Sequence, residues 1–226
     1  MKVMILAAGR GERLRPLTDS MPKPMVPVGD KPILEHLLER LATQGLCDFV
    51  INLSYRAEQI VAHFGDGSKR GWQIVYSHED TPLETAGGVR RALPSLGTEP
   101  FIVVNADVWT DYDFGSLASP DHRAPAKGGA HLILVDNPSH HRDGDFELRD
   151  GIVLRGEGPR LTFAGIGLYD PAFFAGDWPE RVGLATLIDA ASANQLVSGE
   201  HYQGTWVDLG TLERVDALRS SWSATR

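Results

Sequence analysis

The sequence has a single cysteine, Cys47, so an intrachain disulfide and the paired cysteines of a zinc finger are excluded. Cys47 lies beside Leu46 and Phe49, and we expect a small core residue there rather than a nucleophile. No apolar run approaches the roughly 20 residues of a membrane span. The apolar stretch at the N-terminus has the length of a strand and is too short for a signal-peptide core. We therefore expect a cytoplasmic protein without a membrane partner.

Basic residues are also scarce: 22 Lys and Arg stand against 30 Asp and Glu, for a formal net charge of −8. Proteins that bind nucleic acid usually present a basic surface, so no nucleic-acid partner is predicted. The balance reverses within residues 10–31, where the basic residues outnumber the acidic ones. They are Arg10, Arg13, Arg15, Lys23 and Lys31, against Glu12, Asp19 and Asp30. This local reversal suits a small anionic ligand held in one cleft.

The segment richest in chemistry follows the first apolar run. Val3–Ala8 predicts a buried strand, which opens into a loop that contains Gly9 and Gly11. Glycine lets backbone N–H groups approach phosphates closely, while Arg and Lys supply positive charge. Four prolines would stiffen this loop, which an ordinary solvated loop would not need: Pro16, Pro22, Pro24 and Pro27. The pattern predicts a polyphosphate site.

Three familiar motifs are missing. The dinucleotide-binding fingerprint needs a third glycine where Leu14 stands, and no helix can start through Pro16. The G-x-x-x-x-G-K-[ST] spacing of a P-loop is absent. The G-x-S-x-G elbow of a serine hydrolase is absent as well.

Strand-like and helix-like segments alternate through the first half of the chain. The predicted strands are Val3–Ala8, Phe49–Leu53, Gln73–Ser77 and Phe101–Asn105. The predicted helices are one that Asp30 caps with Pro32 at its first position, then Ala57–Phe64 and Gly87–Leu96. Such alternation implies right-handed crossovers and a mostly parallel sheet. Ligands of these sheets bind beyond the carboxyl ends of the strands.

The pattern changes after Pro120. Pro120–Gly129 is interpreted as a loop within one domain. The predicted elements that follow are a strand at Ala130–Asp136, a hairpin at Asp145–Leu154 that turns at Asp150 and Gly151, a strand at Leu161–Tyr169 weakened by Gly165 and Gly167, and helices at Leu184–Ala193 and Leu212–Trp222.

Two aspartates follow apolar strands. Asp107 comes just after the strand that ends at Asn105, and Asp208 follows the short apolar run 205–207. Either one alone could cap a helix. Together beside a phosphate loop they favour Mg²⁺, which takes one or two carboxylates and completes its shell with phosphate oxygens and water. The adjacent His140 and His141 cannot easily chelate one ion together, so zinc is not predicted.

Several segments resemble the signature of the sugar-nucleotide nucleotidyltransferases. The opening loop matches G-x-G-x-R-L-x-P-L-T and the later P-K-P. The match continues in order through P-L-E-T-A-G-G, N-A-D-V, N-P-S-H-H-R-D-G-D-F and W-V-D-L-G-T, and it covers nearly the whole chain. The resemblance implies a single Rossmann-like α/β domain over residues 1–226, in which helices flank a mostly parallel mixed sheet.

The resemblance also implies a Mg²⁺-dependent reaction in which a nucleoside triphosphate and a sugar 1-phosphate give a nucleotide sugar and pyrophosphate. Arg13 and Lys23 would be catalytic, and Asp107 and Asp208 would hold the metal. The nucleotide would contact Ala8, Gly9, Gly11, Glu12, Arg13, Lys23, Thr85 and Gly87. The sugar would contact Asn105, Asp145 and Asp208. These substrates are the expected partners, with no prediction of an oligomeric state.

Within the family, Val108–Phe114, His140–Phe146 and Ser198–Asp208 are most similar to enzymes that use UTP and a muramic acid 1-phosphate in bacterial cell-wall recycling. The expected product is therefore UDP-N-acetylmuramic acid. Three side chains are candidates to pair with its lactyl carboxylate: His140, His141 and Arg142. The alternatives are a mannose-1-phosphate guanylyltransferase or another sugar-1-phosphate nucleotidylyltransferase, and a non-catalytic sugar-nucleotide-binding subunit. The non-catalytic alternative is disfavoured by the presence of Arg13, Lys23, Asp107 and Asp208, because an inert protein need not retain these residues.

Overall fold

The computed structural model describes residues 1–119 and 125–224. Its strands are β1 (Lys2–Leu6), β2 (Pro27–Val28), β3 (Lys31–Pro32), β4 (Asp48–Leu53), β5 (Gln73–His78), β6 (Phe101–Asn105), β7 (Val108–Thr110), β8 (Ala130–Val135), β9 (Phe146–Arg149), β10 (Ile152–Leu154), β11 (Arg160–Tyr169), β12 (Val197–Tyr202) and β13 (Trp206–Asp208). Its α-helices are α1 (Leu17–Ser20), α2 (Ile33–Thr43), α3 (Ala57–Phe64), α4 (Glu84–Leu96), α5 (Phe114–Ala118), α6 (Leu184–Ser192) and α7 (Leu212–Ala224). No helix among the described residues is long and apolar enough to cross a membrane.

Nine strands form one mixed sheet in the order β5-β4-β1-β6-β11-β8-β12-β10-β9. The first four pair in parallel, as the alternation of strands and helices predicts. Beyond β6 the pairing is mostly antiparallel, and only β8 and β12 run parallel there. Because β11 is antiparallel to β6, its first half lies at the same sheet edge as the carboxyl ends of β1, β4 and β6.

Helices cover both faces of the sheet. Along β1, Val3 and Ile5 belong to one core cluster and Met4 to the other, since successive side chains of a strand point to opposite faces. The first cluster includes side chains of α2 and α3, and the second includes side chains of α4 and α6. Cys47 is partly buried against the first cluster.

A third, smaller cluster joins the two ends of the chain. Its buried members are Leu14, Val26, Val28, Ile33, Leu209 and Val215. The first three belong to the cation-rich loop that follows β1, whereas Val215 belongs to α7. Arg219 of α7 also donates to the carbonyl of Pro27 from Nε at 3.0 Å and from Nη2 at 2.7 Å. The C-terminal helix therefore packs directly on the loop.

Several expected elements differ from those in the structure. Asp30 does not cap α2: Pro32 holds the N-cap position, because Lys31 and Pro32 form a short strand paired with β2. Pro16 does not prevent helix formation altogether, since the four-residue α1 begins directly after it. Residues 120–124 of the expected Pro120–Gly129 loop lie outside the described residues, and 125–129 contain a turn.

Candidate active site

The loop after β1 folds back on itself at Gly11. This residue has a φ of 66°, and a Cβ there would lie 2.8 Å from Cβ of Lys23 and 3.1 Å from Cγ2 of Thr18. The Thr18 hydroxyl donates to the Gly11 carbonyl at 2.9 Å. Glycine is thus required here both by the backbone conformation and by the approach of Lys23.

Lys23 and Asp107 form an ion pair at the centre of the site. The Lys23 ammonium donates a hydrogen bond to Oδ2 of Asp107. Only 14% of the lysine side chain and 24% of the aspartate side chain are exposed. The structure therefore brings together the cation and the carboxylate that were predicted from separate parts of the sequence.

A two-stranded ribbon brings the second carboxylate alongside the first. Strands β7 and β13 pair antiparallel, with Asp208 opposite Val108, and the Leu209 N–H donates to the Asp107 carbonyl at 2.8 Å. At the other end of the ribbon, the Tyr202 hydroxyl and the N–H of Thr205 donate to Asp111. These two hydrogen bonds lower the pKa of the Asp111 carboxyl and fasten the ribbon.

Asp208 is held by several donors. Its Oδ2 accepts from Nη1 of Arg214 at 2.5 Å and lies 2.9 Å from Nε2 of His140. Its Oδ1 accepts from the N–H of Gly210 at 3.2 Å, which is the type of contact that a helix cap makes. Arg214, whose side chain is 16% exposed, was not predicted, since no sequence motif points to it.

Two carboxylates of the site are candidate ligands of Mg²⁺. The described residues contain no group of three or more His, Cys, Asp and Glu that could form a closed metal cage. Asp107 and Asp208 nevertheless line the same cleft. Two carboxylates with space for phosphate oxygens and water fit the coordination that Mg²⁺ prefers.

Two adjoining clefts open at the carboxyl ends of the strands. The first lies over β4, β1 and β6, and its lining includes Asn52, Ala8, Gly9, Lys23 and Thr85. The second lies over β6 and β11, and its lining includes Arg13, His140, His141, Ala164 and Asp208. Asn105 and Asp107 line both clefts. The Lys23–Asp107 pair therefore lies where the two clefts meet.

The expected nucleotide residues fall into three groups. Ala8, Gly9, Lys23 and Thr85 line the first cleft, and Arg13 lines the second. Gly11 and Glu12 belong to the turn within the loop after β1, and neither lines either of these two clefts.

Gly87 packs against a neighbouring segment. Its N–H donates to the carbonyl of Val182 at 3.0 Å, and a Cβ at this position would lie 2.4 Å from the carbonyl oxygen of Glu180. The adjacent Thr85 hydroxyl accepts from the Leu184 N–H at 2.7 Å. The start of α4 is thus fixed to the start of α6.

The expected sugar residues also differ in position. Asn105 and Asp208 line the second cleft, whereas Asp145 accepts from the N–H of Phe163 at 2.8 Å and lies 3.0 Å from Nε2 of His141. Asp145 therefore holds His141, which does line the cleft. Arg142 is not part of this lining.

A bulge in β11 makes room for Asn105. The register of β11 against β8 shifts between Phe163 and Gly167. Within the bulge, Gly165 has a φ of 71°, and a Cβ there would lie 2.4 Å from Nδ2 of Asn105. Gly165, one of the two glycines that weaken the strand pattern in the sequence, therefore leaves space for a side chain that lines the second cleft.

A buried polar chain lies at the far end of the first cleft. Oδ1 of Asn52 accepts from the Ala7 N–H at 2.7 Å, and its Nδ2 donates to Oε1 of Glu79 at 2.7 Å. Oε2 of Glu79 accepts from the N–H of Leu83 at 2.9 Å. Asn52 and Glu79 are 3% and 5% exposed. Neither residue was predicted: an asparagine near the end of an apolar strand is a local signal, but the contact between Asn52 and Glu79 is not visible in the sequence.

The chain is similar to known proteins over most of its length. A family model described as nucleotidyl transferase matches residues 2–151. The N-acetylmuramate alpha-1-phosphate uridylyltransferase of Neisseria meningitidis is 45% identical over 98% of this chain and 100% of its own length. The mannose-1-phosphate guanylyltransferase catalytic subunit beta of Drosophila pseudoobscura is 40% identical over 92% of this chain, which spans 59% of that relative. The solved structure of HddC from Yersinia pseudotuberculosis has a TM-score of 0.77 and 22% identity, covering 98% of this chain and 99% of that one, and it shows the shared fold.

Proposed function

The chain belongs to the nucleotidyl transferase family, and on that premise we propose that it makes UDP-N-acetylmuramic acid and pyrophosphate from UTP and N-acetylmuramic acid α-1-phosphate. The observation that carries the proposal is the meeting of two clefts at Asn105 and Asp107, beside Lys23. Two substrates bound in adjoining clefts would place their phosphates at that junction. We further propose that residues 1–226 act as one domain, in the cytoplasm, in peptidoglycan recycling.

The nucleotide would lie in the first cleft. Its base would reach the end over β4, near Thr85, and its α-phosphate would reach Lys23 at the junction. Gly9 leaves open space for close approach of the phosphates, since a Cβ there would meet nothing within 4 Å. From the junction the β- and γ-phosphates would extend towards Arg13, which lines the second cleft.

The reaction would be an in-line displacement at the α-phosphorus. An oxygen of the sugar phosphate forms the new P–O bond, the bond to the β-phosphate oxygen breaks, and pyrophosphate leaves with that electron pair. Lys23 would place a compact positive charge on the α-phosphate as negative charge spreads over its oxygens. Arg13 would neutralise the departing pyrophosphate.

We propose Asp107 and Asp208 as the ligands of Mg²⁺, which would screen phosphate charge when bound. Each carboxylate is paired with a cationic side chain in the structure, Asp107 with Lys23 and Asp208 with Arg214, so a bound Mg²⁺ would share each carboxylate with that side chain. Asn105, in the room that Gly165 leaves, would donate to the sugar. His140 and His141 are the candidates to pair with the lactyl carboxylate, because they line the second cleft and Arg142 does not.

A mannose-1-phosphate guanylyltransferase is the second candidate, and the 40% identity to the Drosophila relative favours it. A matrix of four nucleoside triphosphates against several sugar 1-phosphates, read by pyrophosphate release, separates the two. We expect UTP with the muramate substrate to be fastest. N-acetylglucosamine 1-phosphate should be at least about tenfold poorer in kcat/KM, because a group that pairs with the lactyl carboxylate would be left unsatisfied. A faster reaction of GTP with mannose 1-phosphate would replace the first assignment by the second.

A further inference from the structure

The chain of hydrogen bonds through Asn52 and Glu79 ties together two parts of the first cleft. One end is the N–H of Ala7, directly before the phosphate loop, and the other is the N–H of Leu83, directly before α4. The side chains fit closely beneath α4, since a Cβ at Gly88 would lie 2.6 Å from both Nδ2 of Asn52 and Oε1 of Glu79. Neither side chain can move without disturbing the cleft.

These contacts fix which way the Asn52 amide faces. The Ala7 N–H can only donate, so the atom beside it must be the oxygen, and Glu79 as a carboxylate accepts from the nitrogen. The nitrogen has a second N–H, which no hydrogen bond from the described residues occupies. A donor that is almost wholly buried gains from an acceptor supplied by a ligand.

Asn52 is also at the right end of the cleft to meet a base. Asn52 is the penultimate residue of β4, and β4 lies farther from the Lys23–Asp107 junction than β1 does. A nucleotide with its α-phosphate at the junction would extend its base towards β4. This placement rests on the proposed function, in which the first cleft holds the nucleotide.

We propose that Asn52, oriented by Glu79, selects nucleotides whose base presents a carbonyl oxygen at this edge. Uracil, thymine and guanine carry such an oxygen, whereas cytosine and adenine carry an amino group at the corresponding position. An amino group would face the N–H of Asn52 donor against donor, and the buried donor would stay unsatisfied. Asn52 would be a specificity-determining residue, and Glu79 a positioning residue that acts through it.

The test compares kcat/KM for UTP and CTP in the intact protein, in Asn52→Ala and in Glu79→Gln. We expect the unmodified protein to favour UTP by at least about tenfold, and both variants to reduce that ratio to about threefold or less. The KM for the sugar 1-phosphate should remain within about twofold, because the second cleft is untouched. Asn194→Ala is the matched control, since Asn194 is exposed in the turn after α6 and should keep the original ratio.

Folding of each variant is checked by circular dichroism and thermal unfolding. Folded variants that keep the original ratio of kcat/KM for UTP to CTP would overturn the proposal. An unmodified protein with equal kcat/KM for the two nucleotides would overturn it as well. If Asn52→Ala does not fold, the proposal is tested by the UTP-to-CTP ratios of kcat/KM in Glu79→Gln and in the unmodified protein. If GTP with mannose 1-phosphate is the faster pair, the ratio of kcat/KM is measured for GTP and ATP instead. The proposed selection of a base carbonyl by Asn52 is therefore tested separately from the identity of the substrates.

Discussion

Lys23 is paired with Asp107. An incoming phosphate would therefore share the ammonium with a carboxylate instead of meeting an isolated charge. The pair keeps Lys23 in one orientation, in a site where both side chains are largely shielded from water. Electrostatic stabilisation of a transition state depends on such a fixed arrangement, because no reorganisation is then needed during the reaction.

Lys23→Ala should lower kcat by about a hundredfold or more, with a much smaller effect on nucleotide binding. The reason is that the charge on the α-phosphate oxygens increases mainly in the transition state. Steady-state kinetics with a separate nucleotide-binding measurement checks this. Lys31→Ala removes a lysine that pairs with Glu39 outside both clefts and should leave kcat unchanged. A variant that changed only KM would contradict the catalytic role of Lys23.

Asp107→Asn and Asp208→Asn should each lower kcat by about a hundredfold or more, and a chelator should abolish turnover. Each substitution removes a negative charge that the proposed Mg²⁺ needs. Asp216→Asn is a suitable control, because Asp216 lies in an exposed ion pair with Arg219 on α7. Full activity in chelator, or in either folded variant, would rule out these metal ligands.

The residues of the loop after β1 could be predicted because they are consecutive and their types reveal their chemistry. Arg214, Asn52 and Glu79 could not be predicted in this way. Each acquires its role from a contact with a distant segment, as when Arg214 of α7 contacts His140. A single sequence contains no signal for such a meeting.

At the scale of elements, the bulge in β11 shows how a break in a strand can serve a site. Gly165→Ala and Gly151→Ala both place an alanine at a left-handed φ, of 71° and 77°, so backbone strain should cost each variant about 1 to 2 kcal/mol of stability. Only at Gly165 does the added Cβ collide with a side chain of the site, since a Cβ added at Gly151 would meet nothing within 4 Å. Gly165→Ala alone should raise the KM for the sugar 1-phosphate, by about tenfold. Equal KM values in the two variants would contradict this role of the bulge.

The accuracy of the predicted elements follows the strength of the local signal. Strand β6, helix α3 and the turn at Asp150 and Gly151 agree with the predictions, because their apolar patterns and turn residues are clear. Strand β12 was missed, since its V-S-G-E-H-Y sequence has only one strongly apolar aliphatic residue. Helix α4 begins at Glu84, three residues earlier than predicted, and the N–H groups of Ala86 and Gly87 in its added first turn donate to the Val182 carbonyl, a long-range contact that the sequence does not show.

At the scale of the whole molecule, the N-terminal loop depends on the C-terminal helix. Val215→Ala should lower the free energy of unfolding by about 1 to 3 kcal/mol and also raise the KM for the nucleotide, because Leu14 and Val26 of the loop pack on the same cluster. Val197→Ala removes an equally buried valine of β12 in the second cluster. Val197→Ala should lower the stability in thermal unfolding by a similar amount but leave the KM for the nucleotide unchanged. A KM that responded equally to both substitutions would mean that only overall stability matters.

The ribbon of β7 and β13 has a consequence for the synthesis of the protein. Asp107 and Asp208 are about a hundred residues apart, so a ribosome that adds about 5 to 20 residues per second makes the second roughly 5 to 20 seconds after the first. During that interval the nascent chain already contains the loop, Lys23 and Asp107, but the strand that pairs with β7 does not yet exist. The carboxylate pair is completed only after Asp208 has been added, and a chain terminated before that residue would lack the pair.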